Sequence, residues 1–149
     1  MMEAIQYVAK TALARQTRKV LQAVQRGQTV VVEHHGQPEV AIMDIMDYYL
    51  LRAALQYHTH APQVDAGIGL SDEAVAALSS LQEKANLVIA CYLGGAISLG
   101  RAAELLQLTW LDLRTRCLRL DIPLRTGPAS PEEIARDLES ASAFAVPSP

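Results

Sequence analysis

The chain has 149 residues, enough for one ordinary domain or two very small ones, and half of them are hydrophobic. Aromatic residues make up only 5%, so the core must be aliphatic, and no run approaches the roughly 18 consecutive apolar residues that span a bilayer. A net charge of −3 excludes a chain that is basic throughout, yet the charge is unevenly placed. From Val8 to Gly27 there are five cations (Lys10, Arg15, Arg18, Lys19, Arg26) and no acid, whereas residues 61–149 carry eleven acids against seven Lys and Arg. The local field, not the net charge, attracts a phosphate backbone. The start, MMEAIQYV, has no basic segment followed by an apolar one, so no signal peptide is expected. Cys91 and Cys117 fit no metal or disulfide framework and read as reduced, buried thiols. A cytoplasmic chain is the expectation.

In chain order, Ala4–Val8 reads as a first strand. A basic helix follows from Ala9 to Arg26, with Leu13, Thr17, Val20, Leu21 and Val24 on one face and Gly27 as its stop. Thr29–Glu33 is a β-branched strand, His34–Pro38 a turn, and Val40–Met43 the second arm of a hairpin. A helix from Ile45 to about Tyr57 carries Tyr48, Leu51 and Leu55 on one side. This β-α-β-β-α unit, residues 1–57, is marginal alone and is expected to pair with a second copy.

Residues 58–70 lack periodicity and contain Pro, Gly and Asp, so they read as a linker. Residues 71–141 read as helical. The first helix runs from the N-cap Ser71 to Leu93, buried along Val75, Leu78, Leu81, Ala85, Val88, Ile89 and Tyr92, and stops at Gly94-Gly95. Ser98–Leu106 is a short helix, Gln107-Leu108 a turn, and Thr109 caps a helix to about Leu120. Ser130-Pro131-Glu132-Glu133 is a capping box opening a last helix, with Ile134, Leu138 and Ala141 as its stripe. Residues 142–149 read as a frayed tail. The fold class expected is therefore α+β: a small β-α-β-β-α domain followed by an all-α domain of helix-turn-helix type.

Nothing in the sequence points to an enzyme. There is no Gly-rich phosphate loop, no nucleophile elbow and no paired carboxylate motif, so no catalytic residue and no cofactor are assigned. His34 and His35, read as neighbours at a strand end, would face opposite ways. His58 and His60 have no Cys or carboxylate at ligand spacing, so no metal is expected. The basic helix has two readings. One is a solvated face. The other is a DNA-binding face formed by Lys10, Thr11, Arg15, Gln16, Arg18 and Lys19, with cations on phosphates and Thr11, Arg15 and Gln16 able to reach base edges.

The segment KTALARQTRKVLQAVQRGQTVVVEHHGQPEVAIMD resembles the Phd/YefM-like antitoxins through Leu13, Arg15, Leu21, Val24, Gly27, Gly36, Pro38 and Ala41. It departs at Glu39-Val40, one residue too many between Pro38 and Ala41, which predicts a longer or bulged hairpin. The resemblance covers about the first 55 residues. It implies a homodimer that binds its own operator DNA through the N-terminal helix, and a toxin neutralised by the segment that follows.

ISLGRAAELLQLTWLDLRTRCLRLDIPL resembles a second group, small helix-turn-helix antitoxins encoded beside PIN-domain toxins. The shared residues are Ser98, Gly100, Ala102-Ala103-Glu104, Leu108, Leu113 and Ile122-Pro123. Ala102 and Ala103 let two helices approach closely, and Leu105, Leu108, Leu113, Cys117 and Leu120 are the expected core. Gln107 stands where a turn glycine is usual and has to adopt a left-handed or altered turn. Arg116 stands where an apolar residue is usual. Arg101, Thr109, Trp110, Arg114 and Arg116 form a second candidate surface, for DNA or for a protein partner.

The two resemblances together imply a type II antitoxin that represses its own operon and inhibits a PIN-domain ribonuclease; the toxin-binding residues are read from the last helix itself, whose Ile134/Leu138 stripe suits a helix-in-groove contact and whose Arg136 can reach an acidic active site. Two alternatives stay open on the sequence: a stand-alone transcription regulator, and a protein-interaction adaptor that does not bind DNA.

Overall fold

A computed structural model of the chain describes residues 5–60 and 69–125. Among these residues it is a mixed α+β protein with one three-stranded sheet and seven helices. The chain divides into two compact units, Met1–Tyr48 and Tyr49–Pro149. The division falls inside a helix and not in the segment 58–70 read as a linker, most of which, residues 61–68, lies outside the described residues.

The first unit contains β1 (Ile5–Ala9), α1 (Lys10–Arg15), α2 (Thr17–Gln25), β2 (Thr29–His34) and β3 (Gln37–Ile42). β1 runs parallel to β2 with Val8 opposite Val32, and β2 pairs antiparallel with β3 with Val30 opposite Ile42. A parallel pair needs a crossover, and α1 and α2 supply it by packing on β2. Strand alternation and the i, i+4 spacing of α2 then converge on one aliphatic core: Val8, Val20, Val24, Val30 and Val32, with Ala12, Leu13 and Ile42 packed against it.

The basic helix differs from the single element the sequence predicts. Gln16 (φ −125°, ψ 32°) leaves the helical region and is at once the C-cap of α1 and the N-cap of α2. The Thr17 hydroxyl donates to the Leu13 carbonyl at 2.8 Å, a back-bond that competes with the helical ladder and favours a bend. The expected apolar stripe is shortened as a result: Val20 and Val24 are buried, while Thr17 and Leu21 are exposed.

The hairpin is tighter than predicted. Its loop is only His35-Gly36, both with positive φ (52° and 75°), the pattern of a type I′ turn whose twist matches that of the flanking strands. His34, Gln37 and Pro38, read as turn, belong to strands. The extra residue does form a bulge: pairing passes from Val32–Val40 to Glu33–Pro38 and leaves Glu39 unmatched.

α3 (Ile45–Thr59) opens with the Asp44 carboxylate accepting from the Met46 amide at 3.0 Å. The side that carries Tyr48, Leu51 and Leu55 is exposed, with Ile45, and the buried residues are Asp47, Leu50, Ala53 and Ala54. α3 is apolar on nearly every side, so periodicity alone cannot choose its inner face.

The second unit continues with α4 (Asp72–Ala76), α5 (Leu81–Leu93), α6 (Leu99–Leu105) and α7 (Trp110–Arg119). Each has a hydroxyl N-cap accepting from the amide three residues on: Ser71 from Ala74, Ser80 from Glu83, Ser98 from Arg101 and Thr109 from Asp112. The cap at Ser80 divides the long helix expected from Ser71 to Leu93. The Glu83 carboxylate reaches back to the Ser79 amide and hydroxyl, and Leu81, expected in the buried stripe, is exposed in the first turn of α5.

Helix ends are equally uniform. After α2, α5, α6 and α7 the chain places one residue in the left-handed region: Gly27, Gly95, Gln107 and Asp121. In each case the next amide donates back five residues, as Leu108 does to the Ala103 carbonyl at 2.9 Å and Ile122 to the Cys117 carbonyl at 2.9 Å. Gln107 thus takes the left-handed turn its position demands. α6 packs against both α5 and α7, and Ala102, Ala103, Leu113 and Cys117 are fully buried. Leu106 is buried as well, while Leu105, Leu108 and Leu120 of the expected core are only half-buried.

Candidate nucleic-acid interface

The crossover that closes the parallel pair also exposes the basic residues. α1 and α2 bury short apolar side chains on the sheet, so the longer polar ones project outward. Lys10, Thr11, Arg15, Gln16, Arg18 and Lys19 are all exposed. Because the helix breaks at Gln16, they do not share one continuous helical face. Arg15, Gln16, Arg18 and Lys19 straddle the junction, while Lys10 and Thr11 lie at the start of α1.

Among the described residues Arg15, Arg18 and Lys19 form no ion pair. Lys10 does: its Nζ donates to Glu39 Oε2 at 2.8 Å. The bond from Lys10, with the charges of Lys10 and His34 behind it, holds the Glu39 carboxyl below its ordinary pKa. Sequence reasoning gave Glu39 no role beyond lengthening the hairpin. The extra residue signalled a bulge, but only the strand register shows that the bulge carries an acid onto the basic surface. The two histidines of the hairpin also differ from expectation. His35 sits in the left-handed turn and not in a strand, so the His34 and His35 rings do not point apart but lie 4.0 Å between centroids.

Three residues of the second candidate surface, Arg101, Thr109 and Arg116, are engaged within their own unit. The Arg101 guanidinium donates to Asp72 (2.7 Å), Glu104 (2.9 Å) and the Leu70 carbonyl (2.9 Å), with its side chain 18% exposed. Burial works against its charge, but the bonds to Glu104 and Asp72 outweigh it and raise the pKa of Arg101. Arg116 Nε donates to Asp112 at 3.1 Å, with its side chain 15% exposed. Thr109 is engaged as an N-cap, Trp110 is half-buried, and Arg114 is exposed. Arg125 is held too: its amide donates to the Tyr92 hydroxyl at 2.9 Å, its guanidinium donates to the Ile97 carbonyl and stacks 4.9 Å from the Tyr92 ring centre. The toxin-binding residues expected in the last helix, Ile134, Arg136 and Leu138, lie outside the described residues.

Among the described residues no three His, Cys, Asp or Glu side chains group as a metal site, and no helix is long and apolar enough to cross a membrane. No protein-family model matches the chain, and no curated protein or solved structure matches it.

Proposed function

We propose that this chain is the antitoxin of a type II toxin–antitoxin pair: a homodimer that binds operator DNA through its first unit, represses its own operon and neutralises a PIN-domain ribonuclease. The observation that carries the DNA-binding half is the trio Arg15, Arg18 and Lys19, exposed around the α1–α2 junction and without ion pairs among the described residues. Unneutralised cations release counterions from a phosphate backbone when they bind it. Gln16, exposed between them, offers an amide that can read an adenine edge. The hairpin after Gly27, with Gly36 in its left-handed turn, supports the likeness to Phd/YefM-like antitoxins that the sequence suggests, while the bulge at Glu39 is where the chain departs from that pattern.

The neutralising half rests on the sequence alone, through the amphipathic segment bearing Ile134, Arg136 and Leu138. Two measurements test the reading. The full-length chain should bind duplex DNA from the region upstream of its own coding sequence, with affinity that falls steeply as salt rises. Co-expression with the product of the adjacent reading frame should yield a stable complex. Failure of both removes the antitoxin reading, and DNA binding without a complex leaves a transcription regulator.

A further inference from the structure

The stretch from Val8 to Gly27 contains no acid, yet its first cation is not free. The carboxylate on Lys10 comes from Glu39, 29 residues away, the one residue that the bulge leaves without a strand partner. Resting on the DNA-binding reading above, we propose that Glu39 is an internal competitor for the nucleic-acid backbone: it holds Lys10 in the place a phosphate would take, and so sets the strength of DNA binding.

Three observations carry this. A carboxylate and a phosphate both offer anionic oxygens to a lysine ammonium, so one can replace the other. The Lys10 and Glu39 side chains are 55% and 38% exposed, and ion pairs this open to water are weak enough to exchange. The neighbouring cations Arg15, Arg18 and Lys19 have no such partner among the described residues, so the restraint falls on Lys10 alone. Removing the carboxylate frees one cation and takes one negative charge off the surface. One added phosphate contact in each protomer, two in the proposed homodimer, steepens the salt dependence by about 1.8 in log–log slope, which is about a 30-fold gain in affinity at 0.15 M salt.

The test uses the full-length chain as wild type, Glu39→Gln, Glu39→Ala and the double variant Lys10→Gln/Glu39→Gln. Each is titrated over a series of salt concentrations with a duplex from upstream of the coding sequence and with a random-sequence duplex of equal length. Both Glu39 variants should bind both duplexes about 30-fold more tightly at 0.15 M salt, with a steeper slope. The gain should disappear in the double variant. Wild-type binding with no gain in either single variant overturns the proposal and leaves the DNA-binding reading standing. A gain that survives in the double variant overturns it as well, because the charge at position 39 would then act without Lys10. If neither wild type nor any variant binds either duplex, the DNA-binding reading fails and this proposal falls with it.

Discussion

The first unit leaves three cations around the α1–α2 junction without ion pairs among the described residues, while the second ties Arg101, Arg116 and Arg125 into its own fold. Arg101 joins Asp72, Glu104 and the Leu70 carbonyl, Arg116 joins Asp112, and Arg125 lies on Tyr92. Both regions offer candidate cations in the sequence, the first without acids and the second among them. The difference lies in partnership. A guanidinium already saturated by carboxylates and carbonyls gains little from a phosphate, because each new bond replaces one it already has. An exposed, unpaired one exchanges only water and counterions. Counting basic residues therefore overstates a binding surface wherever acids sit one helical turn away, as Asp112 does from Arg116 and Glu104 from Arg101.

The largest test of this contrast is the double reversal Arg15→Glu/Arg18→Glu. On the proposed reading this removes two phosphate contacts per protomer, four in the homodimer, and should weaken DNA binding at least about 1,000-fold at 0.15 M salt and flatten the salt slope by about 3.6. The thermal midpoint should stay close to wild type, since neither side chain holds another element. Affinity within two-fold of wild type would assign DNA binding elsewhere.

Arg101→Ala should behave in the opposite way. It removes the link between α6, Asp72 and the Leu70 carbonyl and should cost about 1–2 kcal/mol in urea unfolding. Its DNA affinity should not change. An unchanged unfolding midpoint together with weaker DNA binding would mean that Arg101 belongs to the interface after all.

Two smaller effects probe the frame that places these arginines. Ser80→Ala should cost about 1 kcal/mol by removing the cap that starts α5. Gln107→Gly should stabilise the second unit by about 0.5–1 kcal/mol, because glycine takes a φ of 58° without the steric penalty that glutamine bears. Destabilisation by the glycine would mean that the Gln107 side chain contributes more than its backbone strain costs.

Local chemistry was the legible part of this fold. Ser71 and Thr109 announce helix starts, Gly27 and Gly94-Gly95 announce ends, and the residue added at Glu39 announces a bulge. Where two local signals disagreed, the stronger-looking one misled. The apolar stripe from Val75 to Tyr92 reads as one helix, and it hides the Ser80–Glu83 capping signature that ends one helix and begins another. The break at Gln16 has a weaker mark still, a threonine whose hydroxyl takes the Leu13 carbonyl. On α3, apolar residues on nearly every side left the inner face undecided until packing selected Leu50, Ala53 and Ala54.

The candidate site followed the same rule. That Lys10, Arg15, Arg18 and Lys19 are exposed could be read from the residues that had to be buried opposite them. That Lys10 is paired and the other three are not could not. It depends on a strand register 29 residues distant, and on a single residue that the register leaves over.

The two thiols give the second unit a clock of its own. Cys91 and Cys117 are the only cysteines in the chain, both belong to the helical unit, and both are buried. Burial also pushes the Cys91 thiol above its ordinary pKa, which lowers the share of reactive thiolate. Alkylation of the folded chain should therefore be slow and should quicken as α5 or α7 opens, so that the labelling rate at each position reports on that opening. The valine core of the first unit contributes nothing to the signal. Opening of the helical unit can thus be followed in the intact chain, with DNA present or absent, and without adding a probe.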